Sequence, residues 1–262
     1  MDALTATVAW LLDPAHWSGT DGIPIRLWEH VWISALSVLT AAVIALPIGA
    51  FIGHTGRAAS LAINLANIGR AVPSYAILVI VLPISLRLAP DLGYPPAWGL
   101  SEIPTFTAMT LLAIPPILVG TYAGLREVDR DLVEAARGMG MRERQILSRL
   151  EVPLALPVIL GGVRTAAVQV VATATLGAVV AYGGLGRYLI DGIARNETDR
   201  LFAGVVLVAA LALAVEGGFA LIQRAITSPG LRASTGSGPA AGPRPYRQLA
   251  EVPRGGGEVG TA

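Results

Sequence analysis

Hydrophobic residues are concentrated in five long runs that short polar connections separate. A helix that crosses the hydrocarbon core of a bilayer needs roughly 20 consecutive apolar residues, and each run reaches about that length. The runs cover residues 32–52, 61–82, 105–125, 157–181 and 201–223. The pattern therefore predicts an all-α polytopic membrane protein with about five transmembrane helices.

The two ends of the chain differ from this apolar middle. Residues 1–30 contain one short apolar run, and we expect them to form an extracytoplasmic or interfacial segment. Residues 31–226 form the predicted transmembrane domain, which includes a polar loop at about 125–156. Residues 227–262 are rich in Gly, Pro, Ser and Ala, a composition typical of disordered segments, so we expect a disordered cytoplasmic tail.

The positions of the arginines predict the orientation. All 19 basic residues are arginine. If the N-terminus is outside, twelve of them fall in cytoplasmic connections and five in external ones, while Arg70 and Arg164 fall within spans. Cytoplasmic loops retain positive charge. We therefore expect a protein of the cytoplasmic membrane with its N-terminus outside and its C-terminus in the cytoplasm.

Composition excludes several classes of function. The chain is 53% hydrophobic and 14% charged, and its net charge of +1 gives no field that would attract nucleic acid. It has no cysteine, and its three histidines lie far apart, so we expect no metal site. A Walker A loop needs a lysine on the phosphates, and the chain has none. No catalytic constellation is evident. We expect a protein that is not an enzyme and needs no cofactor, with any ATP hydrolysis on another chain.

The polar loop has apolar residues at helical spacing. They are Leu132, Val133, Ala136 and Met139, followed by Met141, Ile146, Leu147 and Leu150. The spacing predicts two short amphipathic helices that are joined around residues 138–140 and ended by Pro153. Such a pair can place its apolar face in the groove of a partner protein. It can equally lie on the membrane surface with its arginines on lipid phosphates, and the pattern leaves both possibilities open.

Five residues of this loop match a known signature. Glu134, Ala135, Ala136, Gly140 and Pro153 have the spacing of the EAA loop, and the loop resembles that of binding-protein-dependent ABC importer permeases. The chain differs from the signature at Leu150 and Val152, where the signature has isoleucine and leucine. The resemblance implies a MetI-like type I importer core, in which this loop forms the coupling helix that docks on the ATPase.

The resemblance also implies which residues couple the chain to the ATPase. They are Glu134, Ala135, Ala136, Arg137, Gly138, Gly140, Leu150 and Pro153. The small side chains of Ala135 and Ala136 would permit close approach, and Gly140 would permit the turn between the helices. Glu134 would cap a helix start or accept a hydrogen bond from an arginine of the partner.

Three further stretches resemble the permeases for osmoprotectants. They are RAVPS at 70–74, GMGM at 138–141 with LPVILGGVRTA at 156–166, and TATLGAVVAYGGLG at 173–186. This resemblance implies import of glycine betaine, choline, carnitine or a proline-like solute. It also implies three protein partners: a cytoplasmic ATPase dimer, an extracytoplasmic solute-binding protein and a second permease copy, either this chain or a paralogue. An ABC permease for methionine or another small solute is the alternative.

A secondary transporter that works without ATP is the competing class. The chain shows no internal repeat and has few carboxylates within its spans, and both observations count against ion coupling.

Two other groups of residues are candidate sites. Arg70, Pro73, Ser74, Arg164 and Glu216 fall within spans and are candidates for an intramembrane pair or a transport pathway. Arg164 and Glu216 lie at matching depth, so we expect an ion pair that holds the fourth and fifth spans together. The second group is Gly183, Gly184, Gly186, Arg187 and Tyr188. Its glycines suit a tight turn better than a phosphate loop, and we hypothesise that this turn contacts the binding protein.

Overall fold

The computed structural model describes residues 3–57, 60, 64, 67 and 74–226. Arg70, Pro73, half of the second apolar run and the predicted tail lie outside the described residues. Within the described residues the chain is helical and contains no strand. Five helical segments are long and apolar enough to cross a membrane, as the hydrophobic pattern predicts.

The described residues form ten α-helices. They are α1 (Ala3–Leu12), α2 (Ile23–Thr55), α3 (Ser74–Asp91), α4 (Pro96–Leu100), α5 (Glu102–Arg126), α6 (Arg130–Gly138), α7 (Glu143–Ile146), α8 (Val152–Thr173), α9 (Gly186–Arg195) and α10 (Thr198–Ile226). A π-helical turn, Leu147–Glu151, joins α7 to α8, and 3₁₀ turns cover Pro14–Trp17 and Ala174–Val180. The candidate spans are α2, α3, α5, Glu143–Val180 and α10.

Each span extends beyond its apolar run at one end or both, as α2 and α3 show. Helix α2 starts at Ile23, before the apolar run at 32, with Pro24 in its first turn, where a missing N–H leaves no hydrogen bond broken. It ends at Gly56, whose φ of 70° lets its N–H reach the carbonyl oxygen of Ile52 at 2.9 Å. Helix α3 continues past residue 82 to Asp91. Apolar runs mark the hydrocarbon-facing part of a helix, and polar residues extend it at either end.

Helix α5 lies at the centre of the described bundle, against α2 on one side and α8 on the other. It continues through Pro115 and Pro116, which are both buried. At its crossing with α8 the backbones meet at two glycines: a Cβ on Gly120 would lie 2.7 Å from the Cα of Gly162. Small residues permit such close helix contacts in membranes. The central crossing therefore depends on the absence of side chains at this point.

The prediction that Pro153 ends a helix of the polar loop is wrong. Helical structure is continuous from Glu143 through the π-helical turn into α8, and Pro153 occupies the first turn of α8. A proline inside a helix removes one backbone donor and crowds the preceding turn. The wider π-helical turn immediately before Pro153 accommodates both effects, so the second short helix runs directly into the fourth span.

A short turn at residues 181–186, the glycine turn, joins the fourth span to α9. It lies at the end of the bundle opposite the polar loop. Beside it, Ile23, Leu185 and Tyr188 form a small apolar cluster against which Trp10 of α1 packs. The N-terminal segment, residues 1–30 by prediction, thus contributes the helix α1 and the first turns of α2. These two helices border the glycine turn.

Candidate functional site

Helix α6 has an inward and an outward face. Val133 and Ala136 are 1% and 3% exposed and pack into a core with Leu125 and Ile146. Glu134 and Ala135 are exposed. Ala136 therefore packs inside the chain, contrary to the expectation that it permits close approach of a partner. The surface that a partner can reach on this helix contains Glu134 and Ala135.

Two exposed apolar side chains extend this surface. Leu132 is 48% exposed and Met139 is 77% exposed. They belong to the same apolar set as Val133 and Ala136 in the sequence pattern, yet they point away from the core. An amphipathic helix that buries one apolar face in its own chain and exposes further apolar residues is suited to bind a second protein.

The start and the end of α6 are built by residues other than Glu134. Asp129 caps the start, because its carboxylate accepts a hydrogen bond from the N–H of Asp131 at 2.9 Å. The expectation that Glu134 caps a helix start is therefore wrong, since it lies in the middle of α6. Gly140 follows the helix with a φ of 83°, in the left-handed region that favours glycine. The predicted turn between the two helices is thus present at Gly140.

A chain of charged side chains connects the polar loop to the end of α2. Arg137 on α6 binds Glu143 on α7 through two contacts, 2.7 Å from Nε to Oε1 and 3.1 Å from Nη2 to Oε2. Nε2 of His54, in the last turn of α2, lies 3.2 Å from Oε2 of Glu143. Nδ1 of the same ring lies 2.5 Å from Oε2 of Glu151, whose side chain is 1% exposed. We call these four residues the His54 cluster.

The sequence interpretation missed this cluster. It assigned no role to His54, because the histidines are far apart in the sequence, and His54 and Glu151 are separated by 97 positions. One signal was present: both residues are ionisable and lie within six residues of the predicted cytoplasmic end of a span, His54 after the run 32–52 and Glu151 before the run 157–181. Charged residues at such boundaries tend to pair.

Three other predicted coupling residues, Arg137, Leu150 and Gly138, differ in their contacts and exposure. The Arg137 guanidinium has its pKa raised by its hydrogen bonds to Glu143, so it is charged at any physiological pH. Leu150 is half-buried against the same core as Ile146. Gly138 is exposed, with open space where a Cβ would lie.

The structure brings Arg164 and Glu216 together. The Arg164 guanidinium contacts the Glu216 carboxylate between α8 and α10. Near them, Nε2 of Gln223 donates a hydrogen bond to the carbonyl oxygen of Pro157 at 3.0 Å, also between these two helices. Arg70 and Pro73 lie outside the described residues, and Ser74 is the first residue of α3. Of the candidate intramembrane residues that the structure describes, Arg164 and Glu216 form an ion pair. Ser74 is the third, and it lies on a different helix, α3.

The glycine turn is held by the first turns of α2. The carboxylate of Glu29 accepts hydrogen bonds from Arg26 at 2.9 Å and from the N–H of Gly184 at 2.7 Å. The hydroxyl of Tyr182 donates to the carbonyl oxygen of Glu29 at 2.9 Å. Burial raises the pKa of Tyr182, so this hydroxyl keeps its proton. These contacts favour the predicted tight turn.

Only part of the predicted contact surface for the binding protein is accessible. Tyr188 is 3% exposed, its hydroxyl donates to the carbonyl oxygen of Asp21 at 2.8 Å, and burial raises its pKa to about 12. Gly184 and Gly186 are also buried. The Arg187 side chain is 30% exposed and binds Asp191 at 2.7 Å. Arg187 borders an open cleft of about 930 Å³ that carboxylates and arginines line together.

Comparison with known proteins identifies the family. Residues 45–228 match the family described as the binding-protein-dependent transport system inner membrane component. The chain belongs to this family. The matched region begins within α2 and includes the polar loop, the glycine turn and α10. The His54 cluster and the Arg164–Glu216 pair therefore lie wholly within the region that the family shares.

Relatives of the permease include proteins named for the solutes they carry. It is 31% identical over 208 residues to the carnitine transport permease protein OpuCB of Listeria monocytogenes, and this alignment covers 79% of this chain and 89% of the relative. It is also 31% identical over 226 residues to the osmoprotectant import permease protein OsmW of Salmonella typhimurium, and this alignment covers 86% of this chain and 99% of the relative.

The fold of the permease matches a solved transporter. A chain of the MetNI methionine ABC transporter, in an inward-facing conformation, aligns with a TM-score of 0.69 and 25% sequence identity. The alignment covers 82% of this chain and 99% of that chain. The protein is thus a permease component of an ABC importer, with the all-α fold that the sequence predicts.

Proposed function

We propose that this permease imports a small quaternary ammonium osmoprotectant, such as glycine betaine, choline or carnitine, with energy from a separate ATPase subunit. The solute assignment is supported by the relatives, which are named for carnitine and for osmoprotectants and match most of their length. A substrate receptor outside the membrane, a cytoplasmic ATPase dimer and a second permease copy complete the proposed assembly.

The exposed face of α6 is the observation that carries the coupling proposal. Glu134 and Ala135 face away from the bundle, next to Leu132 and Met139, while Val133 and Ala136 attach the helix to the core. This arrangement supports docking of α6 in a groove of the ATPase, with Glu134 available to an arginine of that partner. Rigid attachment through Val133 and Ala136 would transmit movement of the ATPase to the membrane helices.

The opposite end of the bundle is the proposed side of solute entry. In this proposal the N-terminus is outside, so the glycine turn and the cleft beside Arg187 face the binding protein. The accessible surface there supports contact through Arg187 and Gly183 rather than through the buried Tyr188.

The test is copurification and uptake with the complete transporter. In Glu134→Arg and Ala135→Glu variants, we expect both ATPase association and ATP-dependent uptake of labelled glycine betaine, choline and carnitine to fall about tenfold or more, since the first change reverses a charge in the docking surface and the second introduces one. Asp91→Arg is the matched control. It reverses an exposed charge at the other end of the bundle and should leave ATPase association unchanged.

The outcomes separate this proposal from its alternatives. Uptake of methionine in place of the quaternary ammonium compounds would favour the methionine permease, which the fold likeness to MetNI supports. Uptake that continues without any ATPase would identify a secondary transporter and would contradict the proposal.

A further inference from the structure

The His54 cluster joins three segments of the chain through one imidazole ring. His54 lies in the last turn of α2, Glu143 begins α7, and Glu151 closes the π-helical turn before α8. Through the two contacts between Glu143 and Arg137, the same cluster reaches α6. The exposed face of α6 is therefore connected by a continuous set of polar contacts to the ends of the first and fourth spans.

The geometry requires a charged ring if both carboxylates are ionised. An ionised carboxylate can only accept hydrogen bonds, so each ring nitrogen that faces one must carry a proton. Nδ1 faces Glu151 at 2.5 Å and Nε2 faces Glu143 at 3.2 Å. A neutral imidazole donates from one nitrogen only and would leave one of these contacts without a proton.

Glu151 depends on His54 more than Glu143 does. The Glu151 side chain is 1% exposed, and among the described residues His54 is the one basic side chain with a nitrogen within 4.0 Å of its carboxylate oxygens. Glu143 is 55% exposed and also binds Arg137. Removing one partner of a buried ion pair leaves an uncompensated charge, which is strongly destabilising. Loss of a proton from His54 would thus leave the buried charge of Glu151 without a counter-charge, at the point where the polar loop continues into α8, whereas Glu143 would keep Arg137.

The other charged groups around the ring are arginines. Arg57 follows on the same segment, and Arg137 and Arg144 line the adjoining cavity of about 450 Å³. Arg126 at the end of α5 approaches Gly56, because a Cβ there would lie 3.3 Å from its Nη1. Arginines remain charged at any physiological pH. Among the basic groups around this site, the imidazole of His54 is the one that can donate from either one or two nitrogens.

We propose that His54 is a positioning residue that, as an imidazolium between Glu143 and Glu151, locks the polar loop to the first and fourth spans. The inference rests on the proposed coupling of this loop to an ATPase. With the lock in place, movement of α6 is transmitted to the bundle. Without it, the ATPase moves α6 while the spans follow incompletely, so the amount of solute imported per ATP hydrolysed falls.

The test measures uptake and ATP hydrolysis together in liposomes that contain the full transporter, from about pH 6 to pH 8.5 on the side of the polar loop. For the wild type we expect the ratio of uptake to hydrolysis to fall as the pH rises, because the imidazolium is lost. For His54→Gln we expect a ratio roughly tenfold lower than that of the wild type at pH 6 and independent of pH, since Glu151 has lost its counter-charge.

Two further variants keep the test decisive if His54→Gln folds poorly. His54→Arg carries a permanent charge and should retain a high ratio at every pH. The double variant His54→Gln/Glu151→Gln removes the buried charge together with its partner, so its yield should recover while its ratio stays independent of pH. Asp91→Asn, which changes an exposed side chain at the opposite end of the bundle from the polar loop, is the control and should leave both the ratio and its pH dependence as in the wild type.

Each outcome has a separate meaning. If His54→Gln or His54→Arg retains the pH dependence of the wild type, His54 is not the titrating lock and the inference is wrong. If the wild-type chain neither copurifies with the ATPase nor needs ATP for uptake, the proposed function has failed. An ATPase that binds normally to every variant, with a changed ratio only in the His54 variants, supports the inference.

Discussion

Arg164 and Glu216 illustrate how single residues are constrained in an apolar bundle. Their side chains are 31% and 39% exposed, and they contact each other between α8 and α10. Charged side chains within spans are costly unless they pair or face water. The contact is therefore best understood as mutual neutralisation, which lets two apolar helices each carry one charge.

We expect Glu216→Gln to destabilise the permease, because it leaves Arg164 without its partner. Insertion scales put an unpaired charge at the centre of a membrane helix at roughly 2.5 to 3.5 kcal/mol, and we expect a loss up to this size. The exchanged pair Arg164→Glu/Glu216→Arg should recover most of it. The measurement is the melting temperature of the purified protein and its yield in membranes.

Arg195→Glu is the control for this pair, because Arg195 is exposed and lies outside the spans. It should leave the melting temperature unchanged. An exchanged pair no more stable than either single reversal would show that the two charges do not interact.

At the scale of the helices, close backbone contact determines how α5 crosses α8. A Cβ on Gly120 would lie 2.7 Å from the Cα of Gly162, and a Cβ on Gly162 would lie 2.8 Å from the carbonyl oxygen of Pro116. Backbone atoms cannot move aside as the end of a flexible side chain can. The crossing can therefore accept a side chain only if the helices separate.

We expect Gly120→Ala to lower the free energy of unfolding by roughly 1 to 3 kcal/mol, the usual cost of overpacking. Gly161→Ala is a matched control on the neighbouring position of α8, where a Cβ would meet nothing within 4 Å. It should be neutral or stabilising by about 0.5 to 1 kcal/mol, because alanine favours helix. Thermal unfolding in detergent compares the two, and equal melting temperatures would contradict the close-crossing interpretation.

At the scale of the whole molecule, the orientation in the membrane remains a prediction from the arginines. The chain contains no cysteine, so single cysteines can report the accessibility of any position without a prior background substitution. Met139 at the polar-loop end is 77% exposed, and Leu92 at the opposite end is 64% exposed. These two positions give a direct comparison of the two faces.

In intact cells we expect a membrane-impermeant maleimide to label Leu92→Cys and to spare Met139→Cys, which should react only after the cells are opened. The reason is the excess of arginine in the connections at the polar-loop end, which cytoplasmic loops retain. The reverse pattern of labelling would place the polar loop outside and would exclude docking of α6 on a cytoplasmic ATPase.

The features that depend on local pattern could be predicted from the amino-acid sequence alone. Five membrane helices follow from the length and hydropathy of the apolar runs, and the family follows from Glu134, Ala135, Ala136, Gly140 and Pro153 at fixed spacing. Short-range spacing also predicted the turn at Gly140. These features need no knowledge of which helices are neighbours.

Apart from the Arg164–Glu216 pair, which matching depth predicts, the contacts between distant residues and the identity of the buried faces follow from how the helices pack. The orientation of α6 about its axis, which buries Ala136 and exposes Ala135, depends on the core formed with Leu125 and Ile146. The contact between His54 and Glu151 joins segments 97 positions apart. Such contacts depend on how α2 and α8 pack around α5, and a one-dimensional pattern carries no information about that packing.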